Sequence, residues 1–271
     1  MDGIEINKQL AEIYVDSLRN NNGGMFRYGM INNNIGYIQI NAMFLQSDYN
    51  IPQNLGLMEY AGKYQEIQSK VQEEQQRDDE VAGINKMMDK AMAEMNRAEA
   101  YILDLRHNVG GKDGISMAVL NHFAQSEKIV FTKKSRVEDG FANIHRMKTI
   151  PTTNSFNGPV YVLTSHLTAS ASEILLLGTL PNSNFIKIGS RSEGIFSSTL
   201  EKSLPNGWEY SISNEVYMDL EGKSYENIGI SPDYKLEYPR NRDAFFDLLL
   251  GDIKNKKDRA IDLVIELENR K

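Results

Sequence analysis

The chain has 271 residues, of which 41% are hydrophobic and 25% are charged, as in an ordinary soluble globular protein. It contains no cysteine, which excludes disulfides, thiolate zinc sites and a cysteine nucleophile. The formal net charge of −7, with basic residues scattered along the chain, argues against a nucleic acid partner, because binding to phosphates requires clustered lysine and arginine.

The first third of the chain predicts a helix, a hairpin and a long helical segment. Residues 4–19 carry apolar side chains roughly on one helical face, and residues 25–44 predict a hairpin with three asparagines at its turn. Residues 57–98 are helical in character. Their first part is polar, as in a solvated helix or an insertion, whereas their second part carries an apolar stripe typical of a helix that lies on a core.

Two strand–turn–helix units follow, and their repetition predicts an α/β domain with helices packed on a sheet. In the first unit, a buried strand over 100–105 precedes a helix over 114–124; in the second, a strand over 160–164 precedes a helix over 170–180. The remaining predictions are strands at 129–132 and 184–188, a polar loop over 133–157, hairpins within 195–220 and a last helix over 259–267.

The small-residue loop TASASE, residues 168–173, joins the strand and the helix of the second unit. A serine at a helix start lies where free backbone N–H groups and the positive end of the helix dipole converge, so an alkoxide attacking a carbonyl there would find donors for the developing charge. The same residues fit a capping box, in which Ser170 caps the helix and Glu173 reaches back. The hexapeptide alone leaves both interpretations open.

The first unit ends in DLRHNVGG, residues 104–111, which contains two adjacent glycines after a buried strand. The backbone N–H groups of Gly110 and Gly111 could form half of an oxyanion hole, although Asn108 and the two glycines also make an ordinary turn. In a parallel sheet, both loops leave from the carboxyl ends of their strands, which is where the sites of α/β proteins form.

Three segments in this order resemble the tail-specific or C-terminal processing proteases of peptidase family S41. They are D-L-R-x-N-x-G-G at 104–111, a T-x-S-A-S-E-type nucleophile loop ending at Glu173, and E-N-x-G-x-x-P-D at 226–233. The resemblance implies an α/β fold with a ClpP/crotonase-like core, a mixed sheet flanked by helices. The expected organisation is a helical N-terminal remnant (1–24), the protease core (25–240, with a partly polar helical insertion over 55–98) and a C-terminal helical segment (241–271).

The same resemblance implies a serine endopeptidase that hydrolyses peptide bonds of a peptide or protein substrate. Ser170 would be the nucleophile, and the amides of Ala171 and of Gly110 or Gly111 would form the oxyanion hole. No cofactor and no metal is implied.

The general base departs from the family pattern. In the processing branch it is a lysine in an F-G-K-G segment, but Ile195 stands at the corresponding position. The tricorn-like branch uses an upstream histidine assisted by a glutamate. Glu226 matches that glutamate, but all four histidines lie after the first core strand. His107, in the oxyanion turn, and His166, in the nucleophile loop, are the candidate bases; the plainer interpretation is that both are surface loop histidines.

Two functions follow: a serine peptidase, inactive if its base is missing, and a non-catalytic pseudopeptidase that binds peptide or an apolar ligand in the same cleft. The sequence contains no stretch long enough for a membrane span and no signal-peptide core. Since family members usually carry an export signal and an upstream helical segment, we expect an incomplete N-terminus and, by resemblance, a periplasmic or otherwise exported protein. The oligomeric state stays open.

Overall fold

A seven-stranded mixed sheet is the central layer of the structure, a computed structural model that describes residues 3–53 and 55–270. Residues 1, 2 and 271, which belong to the predicted terminal segments, lie outside the described residues. The strands, numbered in chain order, are β1 (Asp16–Asn21), β2 (Phe26–Ile31), β3 (Ile35–Ile40), β4 (Ala100–Asp104), β5 (Lys128–Val137), β6 (Gly140–Phe141), β7 (His145–Thr149), β8 (Val160–Thr164), β9 (Phe185–Gly189), β10 (Thr199–Ser203), β11 (Glu209–Ser213), β12 (Glu215–Met218) and β13 (Tyr234–Lys235).

The strand order of the central sheet is β1-β2-β3-β4-β8-β9-β13. Strands β1 to β3 are antiparallel neighbours, whereas β3, β4, β8, β9 and β13 run parallel. In this register Leu103 of β4 lies opposite Ile38 of β3 and Val162 of β8. Because β4 and β8 are parallel neighbours, the loops that follow them leave side by side from the same edge of the sheet.

Helices cover both faces of this sheet. On one face α3, α4 and α5 form the larger core cluster with residues such as Leu103 and Val162; on the other face α1 and α7 pack on Tyr37 and Ile102. Burial on both faces explains the nearly continuous apolar sequences of β4 and β8. The helices are α1 (Gly3–Glu12), α2 (Leu57–Gln68), α3 (Glu73–Glu94), α4 (Asp113–Asn121), α5 (Ala171–Thr179), α6 (Arg242–Lys254) and α7 (Arg259–Asn269).

The structure confirms the predicted hairpin of β2 and β3, the helical segment of α2 and α3 and both strand–turn–helix units. A single helix over residues 4–19 is wrong, since α1 ends at Glu12 and the polar residues from Asp16 form β1 at the edge of the sheet. An edge strand with few buried residues lacks the apolar alternation that identifies a strand in a sequence.

A second, smaller sheet corrects the predicted polar loop over residues 133–157. Strand β5 pairs antiparallel with β6, β7 and β12. Much of this sheet is exposed, which accounts for its polar sequence. The predicted hairpin around Pro205 is confirmed as β10 and β11, whose residues are all exposed. None of the helices within the described ranges is both long enough and apolar enough to cross a membrane.

A buried ion cluster anchors the turn after β4. The Arg106 guanidinium is fully buried between the carboxylates of Asp104, at 2.6 Å, and Asp258, at 2.8 Å. Asp258 also caps α7 by accepting from the Ala260 and Ile261 amides. Burial alone would raise the pKa of Asp104, but the charge and hydrogen bonds of Arg106 outweigh it, so the pKa is lowered. The cluster joins the turn to the helix that closes the chain.

Replacing Arg106 by methionine should destabilise the fold by roughly 3–5 kcal/mol, because two buried carboxylates would lose their counter-charge. The matched control is Lys70→Met, which removes a cation from the exposed pair with Glu66 and should cost less than about 1 kcal/mol. Urea unfolding at pH 7 measures both. A cost for Arg106→Met no larger than that of the control would refute a central role for the cluster.

Candidate active site

The loop after β8 is attached to the turn after β4 by a set of hydrogen bonds. The Thr168 hydroxyl donates to the Leu105 carbonyl at 2.8 Å, and the Ala169 amide donates to the Asn108 carbonyl at 3.0 Å. The Ser172 hydroxyl donates to the same Asn108 oxygen at 2.7 Å. The two loops that the sequence singled out therefore form one rigid unit at the carboxyl edge of the sheet.

Ser170 lies at the start of α5 in an unusual backbone conformation, with φ of 55° and ψ of −126°. Such a conformation costs on the order of 1–3 kcal/mol and persists only where neighbours fix it. Its amide donates to the Ile195 carbonyl at 2.9 Å and, more weakly, to the Glu173 carboxylate at 3.3 Å. The Glu173 side chain reaches back to the Ser170 amide as the predicted capping box requires, but the Ser170 hydroxyl makes no side-chain cap hydrogen bond. The residue is half-buried.

The glycine turn lies directly against Ser170. Gly110 has a φ of +101°, and a Cβ atom at this position would stand 2.5 Å from the Ser170 Cβ and 2.8 Å from the Ala171 nitrogen. Gly111, with a φ of +145°, lies equally close to Met43, whose carbonyl oxygen would be 2.1 Å from an added Cβ. Both positions therefore require glycine, for conformation and for space.

Two amides in this unit are free to bind an oxygen anion. Within the described part of the chain, the N–H groups of Ala171 and Gly111 donate to no acceptor, whereas the Gly110 amide donates to the Asn108 side chain at 2.9 Å. Ala171 is the first residue of α5, where backbone N–H groups lack an intrahelical partner and the helix dipole is positive. The arrangement can stabilise negative charge beside Ser170.

Two carboxylates hold the segment 194–197 beside the serine. The Glu173 side chain accepts from the Gly194 and Ile195 amides, each at 2.8 Å. The Glu226 carboxylate accepts from the Phe196 amide at 2.9 Å and from the Ser197 amide at 3.0 Å. Burial raises the pKa of Glu173, although these hydrogen bonds oppose the rise. In the described structure Glu226 thus contacts this backbone segment and no histidine.

Ile195 occupies the position at which the resemblance expects a lysine. Its backbone binds both Ser170 and Glu173, while its side chain is 52% exposed. The capping-box pattern indicated the contact of Glu173 with Ser170, but nothing in the sequence indicated that Glu173 also holds residues 194 and 195.

His107 and His166 are buried, with 9% and 6% exposure, so the plainer interpretation of surface histidines is wrong. Helix α6 covers them: Phe245 lies 5.5 Å from the His107 ring and 5.1 Å from the His166 ring, and Phe246 stacks on His107. A covering helix more than 70 residues away along the chain leaves no local signal in the sequence. Among the described residues, neither ring has a hydrogen-bond partner, so neither is hydrogen-bonded to Ser170.

An apolar cavity of about 480 Å³ opens beside the glycine turn. It could accept an apolar side chain of a bound peptide, since ligand pockets are mostly apolar with few polar groups. Residues 3–53 and 55–270 contain no group of three or more His, Cys, Asp or Glu that could hold a metal ion. The cavity is lined in part by Phe44, Met58, His107, Val109, Leu167 and Phe246.

Alanine at Gly110 should be far more damaging than alanine at Gly140, another glycine with positive φ (+129°) but with open space around its Cβ position. Both substitutions place an L-residue in a left-handed conformation, which lowers the free energy of unfolding by roughly 1–2 kcal/mol. Only Gly110→Ala adds a clash with Ser170, so we expect it to cost at least about 2 kcal/mol more than Gly140→Ala in urea unfolding. Equal costs would contradict the close approach of the turn to the serine.

The buried His107 should make the protein less stable in mild acid. Burial, with the nearby positive charge of Arg106, lowers the pKa of His107 from 6.5 to about 3; Asp104 opposes this shift, and His166 and Arg242 add to it. Between these values the unfolded chain binds the proton and the folded chain does not. The free energy of unfolding therefore falls as the pH drops from about 6.5 towards 3, by up to roughly 1.4 kcal/mol per pH unit.

His107→Phe, which keeps a ring on Phe246, should flatten this pH dependence in urea unfolding measured between pH 4 and pH 7. The exposed His145 provides the control, and His145→Phe should leave the slope as in the unsubstituted chain. The same slope in both variants would exclude His107 as its source.

Curated relatives of this chain are processing proteases. A carboxyl-terminal-processing protease from Picosynechococcus sp. is 28% identical over 139 residues, which cover 50% of this chain and 31% of that protein. The chloroplastic carboxyl-terminal-processing peptidase 3 of Arabidopsis thaliana is 27% identical over 187 residues, covering 65% of this chain and 33% of that protein. The match thus spans about a third of the length of these relatives.

Solved structures share the fold. A putative peptidase from Parabacteroides merdae superposes with a TM-score of 0.67 at 17% identity, covering 97% of this chain and 68% of that one. Mature CPAF in complex with lactacystin gives a TM-score of 0.60 at 14% identity, covering 95% and 55%. They confirm the predicted α/β class with a mixed sheet flanked by helices. The sequence profile of peptidase family S41 matches residues 34–236, about three quarters of the chain, and the chain therefore belongs to that family.

Proposed function

We propose that this chain is a serine peptidase in which Ser170 attacks the peptide carbonyl and the amides of Ala171 and Gly111 hold the oxyanion, because the Gly110 amide already donates to the Asn108 side chain. Family membership supports peptide hydrolysis as the reaction class. The proposal depends on one observation: Gly110 approaches Ser170 so closely that a single added carbon would overlap the serine Cβ. This close approach supports a site in which the serine hydroxyl, the free Ala171 amide and the glycine turn act on the same carbonyl group.

The chemistry follows from this arrangement. The Ser170 oxygen forms a bond to the carbonyl carbon while its proton leaves to a base, and the carbonyl oxygen takes up the negative charge. Backbone N–H groups aimed at that oxygen stabilise the transition state, with each donor contributing about 2.7–4 kcal/mol where one has been removed by mutation. Collapse expels the amine, which takes a proton, and water then hydrolyses the acyl-serine ester.

The general base that would accept the Ser170 proton is not identified among the described residues. No titratable side chain of the described residues hydrogen-bonds the Ser170 hydroxyl, and Ile195 stands where the processing branch has lysine. Glu226 supports the backbone at 196–197, which makes it a positioning residue in this proposal. His107 and His166 remain candidates only if they leave their packing against Phe245. We therefore propose slow turnover by this chain alone.

A specific observation favours a second function, a pseudopeptidase that binds peptide or an apolar ligand without cleaving it. An exposed isoleucine at position 195 supplies no proton acceptor, while the apolar cavity of about 480 Å³ beside the site is fully formed. In that case Ser170 would serve mainly as the cap of α5.

By the same resemblance, we propose peptide or protein substrates and an exported location; the name of the Arabidopsis relative describes that protein as chloroplastic. We further propose that residues 25–240 form the peptidase core. The segment 55–98 is its helical insertion, and residues 241–271 are a C-terminal helical segment. Of the expected N-terminal remnant, residues 1–24, α1 (Gly3–Glu12) is helical, whereas Asp16–Asn21 forms β1 of the central sheet.

Labelling by a fluorophosphonate tests the nucleophile and the base together. We expect the unsubstituted chain to be labelled slowly, and Ile195→Lys to be labelled at least about tenfold faster, because the new amine stands beside the backbone that binds Ser170 and a positioned base contributes about 10²–10⁴-fold. Ser170→Ala, with or without Ile195→Lys, should not be labelled. Ile195→Met is the control for size.

Persistent labelling of Ser170→Ala would exclude Ser170 as the nucleophile. If a folded Ile195→Lys variant gains no labelling over Ile195→Met, while peptide binds equally well to the unsubstituted chain and to Ser170→Ala, the pseudopeptidase function would stand instead.

A further inference from the structure

Helix α3 carries a buried carboxylate that takes no part in the proposed chemistry. Glu80 is only 1% exposed, and its oxygens accept hydrogen bonds from the Leu45 amide at 3.2 Å and from the Gln46 amide at 2.6 Å. The ammonium group of Lys112, a partly exposed side chain, lies further away at 3.8 Å. Burying a carboxylate is unfavourable unless hydrogen bonds or a counter-charge compensate it, so the two backbone amides are what hold Glu80 in place.

The loop that binds Glu80 is strained at Leu45. This residue has a φ of 61°, in the left-handed region that residues with a side chain seldom adopt. Successive backbone N–H groups in such a conformation can form a concave site for an anion, and here the Glu80 carboxylate accepts from both of them. Strain of this kind persists only where neighbouring groups fix it, and Glu80 is bonded at the strained residue itself.

Helix α3 also contacts this loop directly, one turn further along. A Cβ atom at Gly83 would stand 2.0 Å from the Gln46 carbonyl oxygen and 2.8 Å from the Ser47 Cα atom. Glycine inside a helix is unfavourable by propensity, so the close approach of the loop explains why it stands here. The loop is therefore fixed to α3 by a carboxylate and by backbone packing.

The other end of the same loop is bonded to the glycine turn. The Met43 amide donates to the Gly110 carbonyl at 2.9 Å, and the Lys112 amide donates to the Met43 carbonyl at 2.7 Å. Met43 and Gly111 thereby form an isolated parallel bridge. These bonds flank the Gly111 amide on both sides. Met43 precedes Leu45 by two residues, a distance of at most about 7 Å along the chain, so the contact of Glu80 is close to the turn.

We propose that Glu80 is a positioning residue for the oxyanion hole. It fixes the loop at Leu45 and Gln46, the loop fixes Met43, and Met43 sets the direction of the Gly111 amide. This inference rests on the proposed function for the use of the Gly111 amide as an oxyanion donor. Because a misplaced donor weakens the transition state more than the bound ground state, loss of Glu80 should slow the chemical step more than it weakens binding.

Two variants disturb the loop in different ways. Glu80→Gln keeps the size of the side chain but removes its charge and one acceptor oxygen. Gly83→Ala retains the carboxylate and instead pushes against the Gln46 carbonyl. The matched controls are Glu74→Gln, at an exposed position of α3, and Gly62→Ala, on α2 with open space around its Cβ position. Thermal unfolding verifies that each variant is folded.

The first measurement observes the Gly111 amide without any use of Ser170. Adjacent glycines occur only at 23–24 and 110–111, so a chain labelled with ¹³C,¹⁵N-glycine gives two carbonyl-to-amide NMR correlations, those of Gly24 and Gly111. Met25→Leu, next to Gly24, identifies which signal is which. Glu80→Gln and Gly83→Ala should move or broaden the Gly111 signal, whereas both controls should leave it in place.

The second measurement is the rate of fluorophosphonate labelling as a function of probe concentration. Complete removal of an oxyanion donor costs about 10²–10³-fold, so a misdirected donor should lower the maximal rate about tenfold in Glu80→Gln and in Gly83→Ala. The probe concentration that gives half of the maximal rate should change by less than about twofold. A role confined to stability would leave the maximal rate of a folded variant unchanged, as in the two controls.

An unchanged Gly111 signal, an unchanged maximal rate or unfolding of both variants would each overturn the proposal. If one variant alone folds, its result decides. If the unsubstituted chain is not labelled at all, the peptidase proposal fails, and the Gly111 signal by itself decides whether Glu80 positions the turn.

Discussion

The candidate site depends on the burial of Arg106 between Asp104 and Asp258. Buried ion pairs seldom add net stability, because desolvation offsets most of the attraction, but breaking one is costly. Here the cluster fixes the turn after β4, and the carbonyls of that turn accept hydrogen bonds from the loop that carries Ser170. The position of the serine is thus set by an interaction that never touches it.

The second constraint is the backbone conformation at Ser170. A non-glycine residue with φ of 55° and ψ of −126° is strained. Two contacts hold Ser170 in this conformation: the close packing of Gly110 and the hydrogen bond from the Ser170 amide to the Ile195 carbonyl. Glu173 adds a third contact, because its carboxylate accepts hydrogen bonds from the backbone amides of both Ser170 and Ile195. The strained conformation of Ser170 is therefore a product of packing among three separate segments.

Much of this could be predicted from the sequence, because β4 and β8 are buried on both faces and have unmistakable apolar sequences. The adjacency of the two loops followed from the parallel arrangement of their strands. The surroundings of the loops could not be predicted in the same way. Phe245 covers two histidines from a distant helix, and Glu226 binds amides 29 and 30 residues away; such contacts leave no periodic pattern. The edge strand β1 could not be predicted for a related reason, since its residues are polar and mostly exposed and show no alternation of buried and exposed positions.

Ile195 is exposed, so a substitution at this position should affect the stability of the fold less than a substitution at the residues that fix Ser170. Substitutions at Gly110 or Arg106 are expected to destabilise the fold, so a stable protein keeps the packing that fixes Ser170. A half-exposed side chain at position 195 can change at little thermodynamic cost. The packing that fixes Ser170 and the identity of the side chain at position 195 can therefore change independently of each other.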